Sequence, residues 1–300
     1  MKKTLLFFSS LTTILCVLSQ GYAQNLQSMP IQSGFNADVV ANGIGSSALS
    51  TSNDVDGVNY NFVSRDFQLT STSPVLTYGL PTTGLITSAV AAPAGLTYQL
   101  ASYSANNSLR LQNTNDSGTL VFTTPLAAVN LYMLAASGSG ASTVNVTVNY
   151  VDTTTESFTN LSLSDWYGGV NFAITALGRI NRTNDVLETG GGTNPRLYQI
   201  PIAISAANQS KLIQSVTVTK SGTGGIPNIM AFSADAYTSC QGPTNITYVS
   251  SNDGGTLSWT APTNAPASGY DYYYSTSSTA PNDVTIPSGS VAAGVTSVTL

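Results

Sequence analysis

The sequence predicts an all-β protein built from antiparallel sandwiches, and three observations support this. Alternation of apolar and polar residues recurs along the chain, whereas no long segment places apolar residues at helical spacing. Clusters of Gly, Ser, Asn and Pro separate the alternating runs, as turns require. The chain also holds 39 serines and 39 threonines but only 8% charged residues, against roughly 25% in ordinary globular proteins.

The clearest strand lies at 143–150, where Val144, Val146, Val148 and Tyr150 share one face and Thr and Asn residues occupy the other. Such alternation is typical of a strand with one packed and one solvated face. The predicted strands lie at 119–123, 128–134, 142–151, 156–161, 198–204, 212–220 and 229–234. A short helix is also compatible with 205–212, although the isoleucines that flank this segment could equally be strand ends.

The first 23 residues have the three parts of a secretory signal peptide. Lys2 and Lys3 precede an apolar segment at 5–18, and small residues at Gly21 and Ala23 precede Gln24. The apolar segment is too short to cross a bilayer, and no later stretch reaches 18 apolar residues. We therefore expect a secreted or cell-surface protein with no membrane span.

Composition excludes several function classes. The chain has no histidine, which removes Ser-His-Asp and Cys-His nucleophiles and histidine zinc sites. Its net charge of −5 opposes nucleic-acid binding. Glu156 and Glu188 are the only glutamates, and no pair of carboxylates stands out as the acid and base of a glycosidase. The sequence therefore predicts no enzymatic activity.

The sequence pattern changes near Cys240-Gln241-Gly242-Pro243, so the predicted domains are 24–239 and 240–300. The second domain contains PTNIT from Pro243, LSW ending at Trp259, the pair Ala261-Pro262 and a tyrosine-rich segment at 270–274. In this order the motifs resemble the first part of a fibronectin type III domain, which implies an immunoglobulin-like sandwich. Because that domain needs roughly 90 residues, we expect this sequence to be a fragment.

Cys240 is the one cysteine that remains after signal removal. The resemblance implies that its disulfide partner is missing from this chain, together with the last strands. A free or intermolecular thiol is the alternative.

Residues 150–169, YVDTTTESFTNLSLSDWYGG, resemble the middle of galactose-binding-like jelly-roll domains, and 130–134, 196–200 and 211–218 match the neighbouring strands. The resemblance implies a jelly-roll-like β-sandwich over 24–239 that binds carbohydrate. The complete layout also resembles cell-surface proteins of Bacteroidetes that use type IX secretion.

The candidate ligand site is Asp165-Trp166-Tyr167. An exposed indole beside a phenol could stack on a sugar ring while Asp165 accepts hydrogen bonds from hydroxyl groups. The alternative is that Trp166 fills the sandwich and Asp165 caps a turn. Arg196, together with Arg179 and Arg182, could bind a carboxylate-bearing sugar, or these residues could form surface ion pairs of small value.

A second candidate site is the loop Asn53-Asp54-Val55-Asp56-Gly57. Its oxygen-bearing side chains, Asn53, Asp54 and Asp56, are of the type that binds calcium, although a full EF-hand loop is absent. The alternative is a polar turn. A structural calcium ion is therefore the one cofactor that the sequence suggests.

Three functional hypotheses follow. The leading hypothesis is a non-catalytic exported module for glycan binding or cell-surface adhesion, with a glycan or cell-surface polysaccharide as partner and no nucleic acid. The second is a structural spacer or stalk of a larger surface protein. The third is an accessory or catalytic region of a glycoside hydrolase. The hydroxyl-rich composition suits all three.

Overall fold

The structure is a computed structural model that describes residues 24–238, 243–251, 254–262, 265–266, 268–275 and 285–300. These residues are nearly all β and form mainly antiparallel sheets, which confirms the predicted all-β sandwich class. One compact unit comprises Gln24–Tyr237, and a second begins at Thr238. The predicted signal segment 1–23 and Cys240 lie outside the described residues.

Short strands lie at the beginning of the first unit and again between its long strands, which form its centre. Its strands are β1 (Leu26–Met29), β2 (Ile31–Ser33), β3 (Val40–Ala41), β4 (Tyr60–Val63), β5 (Leu85–Thr87), β6 (Thr97–Gln99), β7 (Leu109–Arg110), β8 (Ser117–Leu126), β9 (Ala128–Gly138), β10 (Ser142–Tyr150), β11 (Thr155–Leu163), β12 (Phe172–Ile174), β13 (Arg179–Asn181), β14 (Leu187–Glu188), β15 (Leu197–Ala203), β16 (Ile213–Lys220) and β17 (Ile226–Ala236).

Two large antiparallel sheets form the sandwich. The first has the order β1-β17-β9-β15-β12, with β7 also paired to β17, and the second has the order β11-β10-β16-β8-β2. The two sheets pack face to face, because Phe122 of β8 meets Phe232 of β17 edge to face at 5.6 Å between ring centroids. Strand β10 alternates as predicted, with Val144, Val146 and Val148 fully buried between the sheets.

Strand β9 of the first sheet is buried on both faces, unlike the one-sided pattern expected for a sandwich strand. Leu131 and Met133 face the core between the two sheets, whereas Tyr132 and Leu134 face a second core. Loops and short strands from 37–103 and 166–198 cover this second face. Among them, β14-β13-β4-β3 form a small sheet in which β3 and β4 are parallel, and β5 pairs with β6.

Helical structure is minor in the described chain. Helix α1 (Ser47–Ser50) is capped by Ser46, whose hydroxyl oxygen accepts a hydrogen bond from the Ala48 amide, and a 3-10 turn covers Gly190–Gly192. The helix that the sequence allowed at 205–212 does not form; the segment is a series of turns between β15 and β16.

The described residues of the second unit form two small sheets. Its strands are β18 (Thr244–Ser251), β19 (Gly254–Thr260), β20 (Tyr270–Tyr272), β21 (Gly289–Val291) and β22 (Ser297–Thr299). The sheets have the orders β18-β19-β22 and β20-β21. Trp259 is buried and meets the Tyr270 ring edge to face at 5.3 Å, whereas β18 is exposed along its whole length.

Candidate functional site

The first unit has a pair of adjoining polar depressions, which we call the polar cleft. The larger depression has a volume of about 390 Å³ and the smaller about 250 Å³. The larger is lined by Asp38, Asn42, Leu49, Ser50, Thr51, Ser52, Ser104, Ala105 and Asn106. The smaller is lined by Asn42, Asp66, Thr82, Thr83, Gly84, Gln99, Leu100, Ala101, Ser102, Tyr103 and Ser104.

Asn42 and Ser104 belong to both depressions. Asn42 directly follows β3, and its Nδ2 donates a hydrogen bond to Ser104 Oγ at 3.2 Å. The Asn42 amide donates to Ser50 Oγ at 3.3 Å, which links this position to α1. Three separate chain segments therefore meet at the wall between the depressions.

Asp38 contributes a carboxylate to the larger depression. The residue is only 8% exposed, and its Oδ1 accepts hydrogen bonds from Asn107 Nδ2 at 2.6 Å and from the Val40 amide at 3.3 Å. No donor among the described residues reaches Oδ2. Burial raises the pKa of Asp38 to about 6, although the hydrogen bonds from Asn107 and Val40 act to lower it.

The backbone around Asp38 is held as firmly as its side chain. The Asp38 amide donates to Ser52 Oγ at 2.8 Å, and the Ser52 and Asn53 amides donate to the Asp38 carbonyl oxygen at 3.0 and 3.1 Å. The side chain of Asn107 is fixed in turn, because its Oδ1 accepts from the Val39 amide and its Nδ2 also donates to the Ala105 carbonyl.

The cleft lining combines hydroxyl, amide and carboxylate groups. Asp66 carries the second carboxylate, in the smaller depression, and neither lining contains a lysine or an arginine within the part of the chain that the structure describes. Leu49 adds an apolar side chain that is 87% exposed. Such a surface can exchange many hydrogen bonds with a polyhydroxylated ligand and offers a small apolar contact beside them.

The predicted site at 165–167 has a different environment. Trp166 is 2% exposed and meets the Phe62 ring edge to face at 5.2 Å between centroids, so its indole has no free face for a sugar. Asp165 Oδ1 accepts from the Tyr167 amide at 2.8 Å, and its Oδ2 accepts from the Gly140 amide. The structure thus favours the alternative in which Trp166 fills the core and Asp165 caps a turn.

Arg179 is enclosed by the same aromatic cluster. Its guanidinium carbon lies 3.6 Å from the Tyr60 ring centroid and 4.8 Å from that of Tyr167. Its Nε and Nη2 donate to Glu188 Oε2 at 2.9 and 2.7 Å. This interaction is the largest of the causes that lower the pKa of Glu188.

The other two candidate arginines, Arg182 and Arg196, also bind acceptors within the protein. Arg182 donates to Thr51 Oγ1 at 2.9 Å and to the Thr51 carbonyl at 3.1 Å. Arg196 donates to the carbonyl oxygens of Thr193, at 3.0 Å, and Gly169. The three side chains therefore do not converge on a common anion site.

The predicted calcium loop is closed by protein donors. Asp54 Oδ1 accepts from Arg110 Nη2 at 2.7 Å and from the Gly57 amide at 3.0 Å, and its Oδ2 accepts from the Asn59 amide at 2.9 Å. The Arg110 guanidinium thus supplies the positive charge that calcium would bring.

The remaining two predicted calcium ligands also face the backbone. Asp56 Oδ1 accepts from the Val58 and Tyr60 amides at 3.0 and 3.1 Å, and burial raises its pKa. Asn53 Oδ1 accepts from the Asp54 amide at 3.2 Å. The described residues contain no group of three or more His, Cys, Asp or Glu side chains that could hold a metal ion.

The polar cleft is not evident from the sequence pattern. One signal was present: Asp38 interrupts the apolar run Ala37-Asp38-Val39-Val40-Ala41, and a carboxylate within such a run is costly to bury without partners. Asn42 and Ser104 carry no signal of this kind, because Asn and Ser are abundant throughout the chain.

No protein-family model matches the chain, and no curated protein matches it. Within the described part of the chain, no helix is long and apolar enough to cross a membrane.

Proposed function

We propose that this chain is a non-catalytic, exported module that binds a glycan in the polar cleft. The observation that carries the proposal is the lining of the cleft, in which hydroxyl and amide groups surround one buried carboxylate with an unpartnered oxygen. Sugar hydroxyls donate and accept hydrogen bonds at once, so they are well matched by a surface that offers both kinds of group.

The sequence supports the same function class. The resemblance of 150–169 to galactose-binding-like jelly-roll domains is consistent with carbohydrate binding, and the signal-like segment 1–23 is consistent with export to the cell surface. The fibronectin type III resemblance and the Bacteroidetes-like layout, with type IX secretion, belong to this proposal as well. On this account the protein recognises a glycan in a surface or adhesion context without chemical turnover.

The test is a glycan array with the full chain, comparing wild type with Asn42→Ala. Asn42 is chosen because it lines both depressions. The matched control is Asn145→Ala, on the partly exposed face of β10 in another sheet. We expect wild type and the control to bind the same glycans and Asn42→Ala to lose them while its unfolding temperature stays unchanged.

Two results would count against the proposal. Binding that survives Asn42→Ala unchanged would place the glycan outside the polar cleft. The absence of binding to any glycan by wild type would reject the glycan-binding function, and the spacer or stalk hypothesis would then take precedence.

A further inference from the structure

We propose that the glycan bound in the polar cleft carries a free ammonium group, as an unacetylated amino sugar does, and that Asp38 is its partner. This inference rests on the proposed function and specifies the class of sugar. The charge of the cleft, the arrangement of donors at Asp38 and the contacts that fix its carboxylate support it.

The polar cleft carries negative charge, and no positively charged side chain among its lining residues offsets it. Asp38 and Asp66 are the charged side chains that line the two depressions. A bound uronate or other acidic sugar would be repelled there, because like charges at short range disfavour binding. A neutral sugar would be accepted, and a cationic one would gain an ion pair.

Asp38 differs from the carboxylates elsewhere in this unit that have cationic partners. Asp54 is paired with Arg110 at 2.7 Å and Glu188 with Arg179 at 2.7 Å. Asp38 is buried to a similar or greater degree, yet its donors are an amide side chain and a backbone amide, both at Oδ1. Asp56 and Asp235 are also buried with described donors at Oδ1 alone, but of these three carboxylates only Asp38 lines the polar cleft. Buried carboxylates are normally paired with a cation, so a cationic ligand in the cleft would supply the partner that Asp38 lacks.

The position of the Asp38 carboxylate is fixed before any ligand arrives. Asn107 holds Oδ1 at 2.6 Å and is itself tied to the backbone at Val39 and Ala105. A preorganised acceptor loses little side-chain entropy when it binds a ligand. Asn107 is thus a positioning residue for the carboxylate.

The charged groups on the elements around Asp38 are engaged elsewhere. Arg182 is bound to Thr51, Asp185 accepts from Ser47, and Asp54 is paired with Arg110. Asp66 lies in the adjoining depression.

The ion pair proposed for Asp38 depends on pH. Because burial raises the pKa of Asp38 to about 6, its negative charge is lost as the pH falls through that value. The ion pair with an ammonium group is then lost as well.

The experiment compares two oligosaccharides that share one backbone, a chitosan hexasaccharide with free amines and its fully N-acetylated counterpart. Binding to the full chain is measured by calorimetric titration at pH 6.5. We expect the free amines to bind about tenfold more tightly or better, since a charge-assisted hydrogen bond replaces a neutral one. Asp38→Asn should bring the two affinities to within about twofold.

The control for long-range attraction is Asp271→Asn, which removes the same charge from an exposed position in the second unit. It should leave the preference for amines intact. A trilysine peptide controls for cation binding without a sugar and should bind much more weakly than the chitosan hexasaccharide. Lowering the pH from 6.5 to 5 should weaken chitosan binding, although it can only increase protonation of the amines.

The outcomes separate this inference from the proposed function. Equal binding of both oligosaccharides, lost in Asn42→Ala but unaffected by Asp38→Asn, would overturn the amino-sugar inference and leave glycan binding standing. The inference would also be overturned if Asp38→Asn and Asp271→Asn lost the preference for free amines to the same extent. It would be overturned as well if trilysine bound as tightly as the chitosan hexasaccharide. Either result would show that general charge attraction explains the binding. No binding of either oligosaccharide, together with an empty glycan array, would reject both.

Discussion

Asp38 and Asp54 show how one residue type acquires two roles from its neighbours. Asp54 accepts from a guanidinium and two backbone amides, which use both of its oxygens and make it part of a closed loop. Asp38 accepts hydrogen bonds from described donors at Oδ1 alone, and the residue lines the larger depression. The difference depends on the approach of Arg110 to one aspartate and Asn107 to the other, both distant in sequence.

The first prediction concerns the pH dependence of stability at Asp38. Its pKa in the folded state is about 6, above the ordinary value of 3.8, so the folded protein binds this proton more tightly than the unfolded chain. The resulting stabilisation is complete below pH 3.8 and is lost as the pH rises through about 6. Relative to Asp38→Asn, wild type should lose at most about 3 kcal/mol of unfolding free energy between pH 4 and pH 7.

The measurement is urea unfolding of both proteins across that range. The difference between them cancels the contributions of the other titrating groups, including Asp56. A difference in unfolding free energy that stays constant from pH 4 to pH 7 would show that Asp38 titrates normally.

The second prediction concerns Trp166. Because the indole is buried against Phe62, Trp166→Ala should lower the free energy of unfolding by about 3–5 kcal/mol. Trp166→Phe, which retains an aromatic ring, should lose less. Denaturant unfolding followed by circular dichroism checks both variants; normal stability of Trp166→Ala combined with selective loss of glycan binding would restore the sugar-stacking interpretation.

At the scale of elements, the long strands were predictable and the short ones were not. Strands β8–β11 and β15–β17 overlap the predicted runs, because seven or more residues give alternation room to repeat. Strands such as β3, β7 and β14 have two residues each and no readable period. These short strands and their loops cover the second face of the first sheet, so the sequence could not decide whether Trp166 is buried.

The third prediction tests the two faces of β10 by introducing aspartate at each of two neighbouring positions. Val146 is fully buried, whereas Thr147 is partly exposed and hydrogen-bonds with Ser157 across the strands. Val146→Asp buries an unpaired carboxylate and should cost more than about 3 kcal/mol of stability. Thr147→Asp should change stability by roughly 1 kcal/mol or less. Comparable losses in thermal unfolding would contradict the assignment of the faces.

The fourth prediction concerns the loop at 53–59. Since Arg110 supplies the cation for Asp54, adding EDTA or calcium should leave the unfolding temperature unchanged. Arg110→Gln should lower the free energy of unfolding by about 3 kcal/mol, because it leaves a largely buried carboxylate unpaired. A rise in unfolding temperature with calcium in wild type would instead favour the metal site that the sequence suggested.

At the scale of the whole molecule, one compact unit ends at Tyr237, close to the domain boundary at 239 that the change in sequence pattern suggested. The all-β class was predictable because it depends on pattern and composition along the chain. The polar cleft was not, because it assembles residues near 38–52, 66, 82–84 and 99–106 through loops that have no periodic signal. Because Ser, Thr and Asn are abundant throughout this sequence, the cleft residues differ from the others only in lying close together in the folded structure.

The central claim is that a glycan occupies the polar cleft. Hydrogen–deuterium exchange of the full chain, with and without its strongest-binding glycan from the array, tests this location directly. We expect slower amide exchange at 42–52 and 101–106 in the complex and no change at 165–169. Protection at 165–169 with none around Asn42 and Ser104 would contradict it.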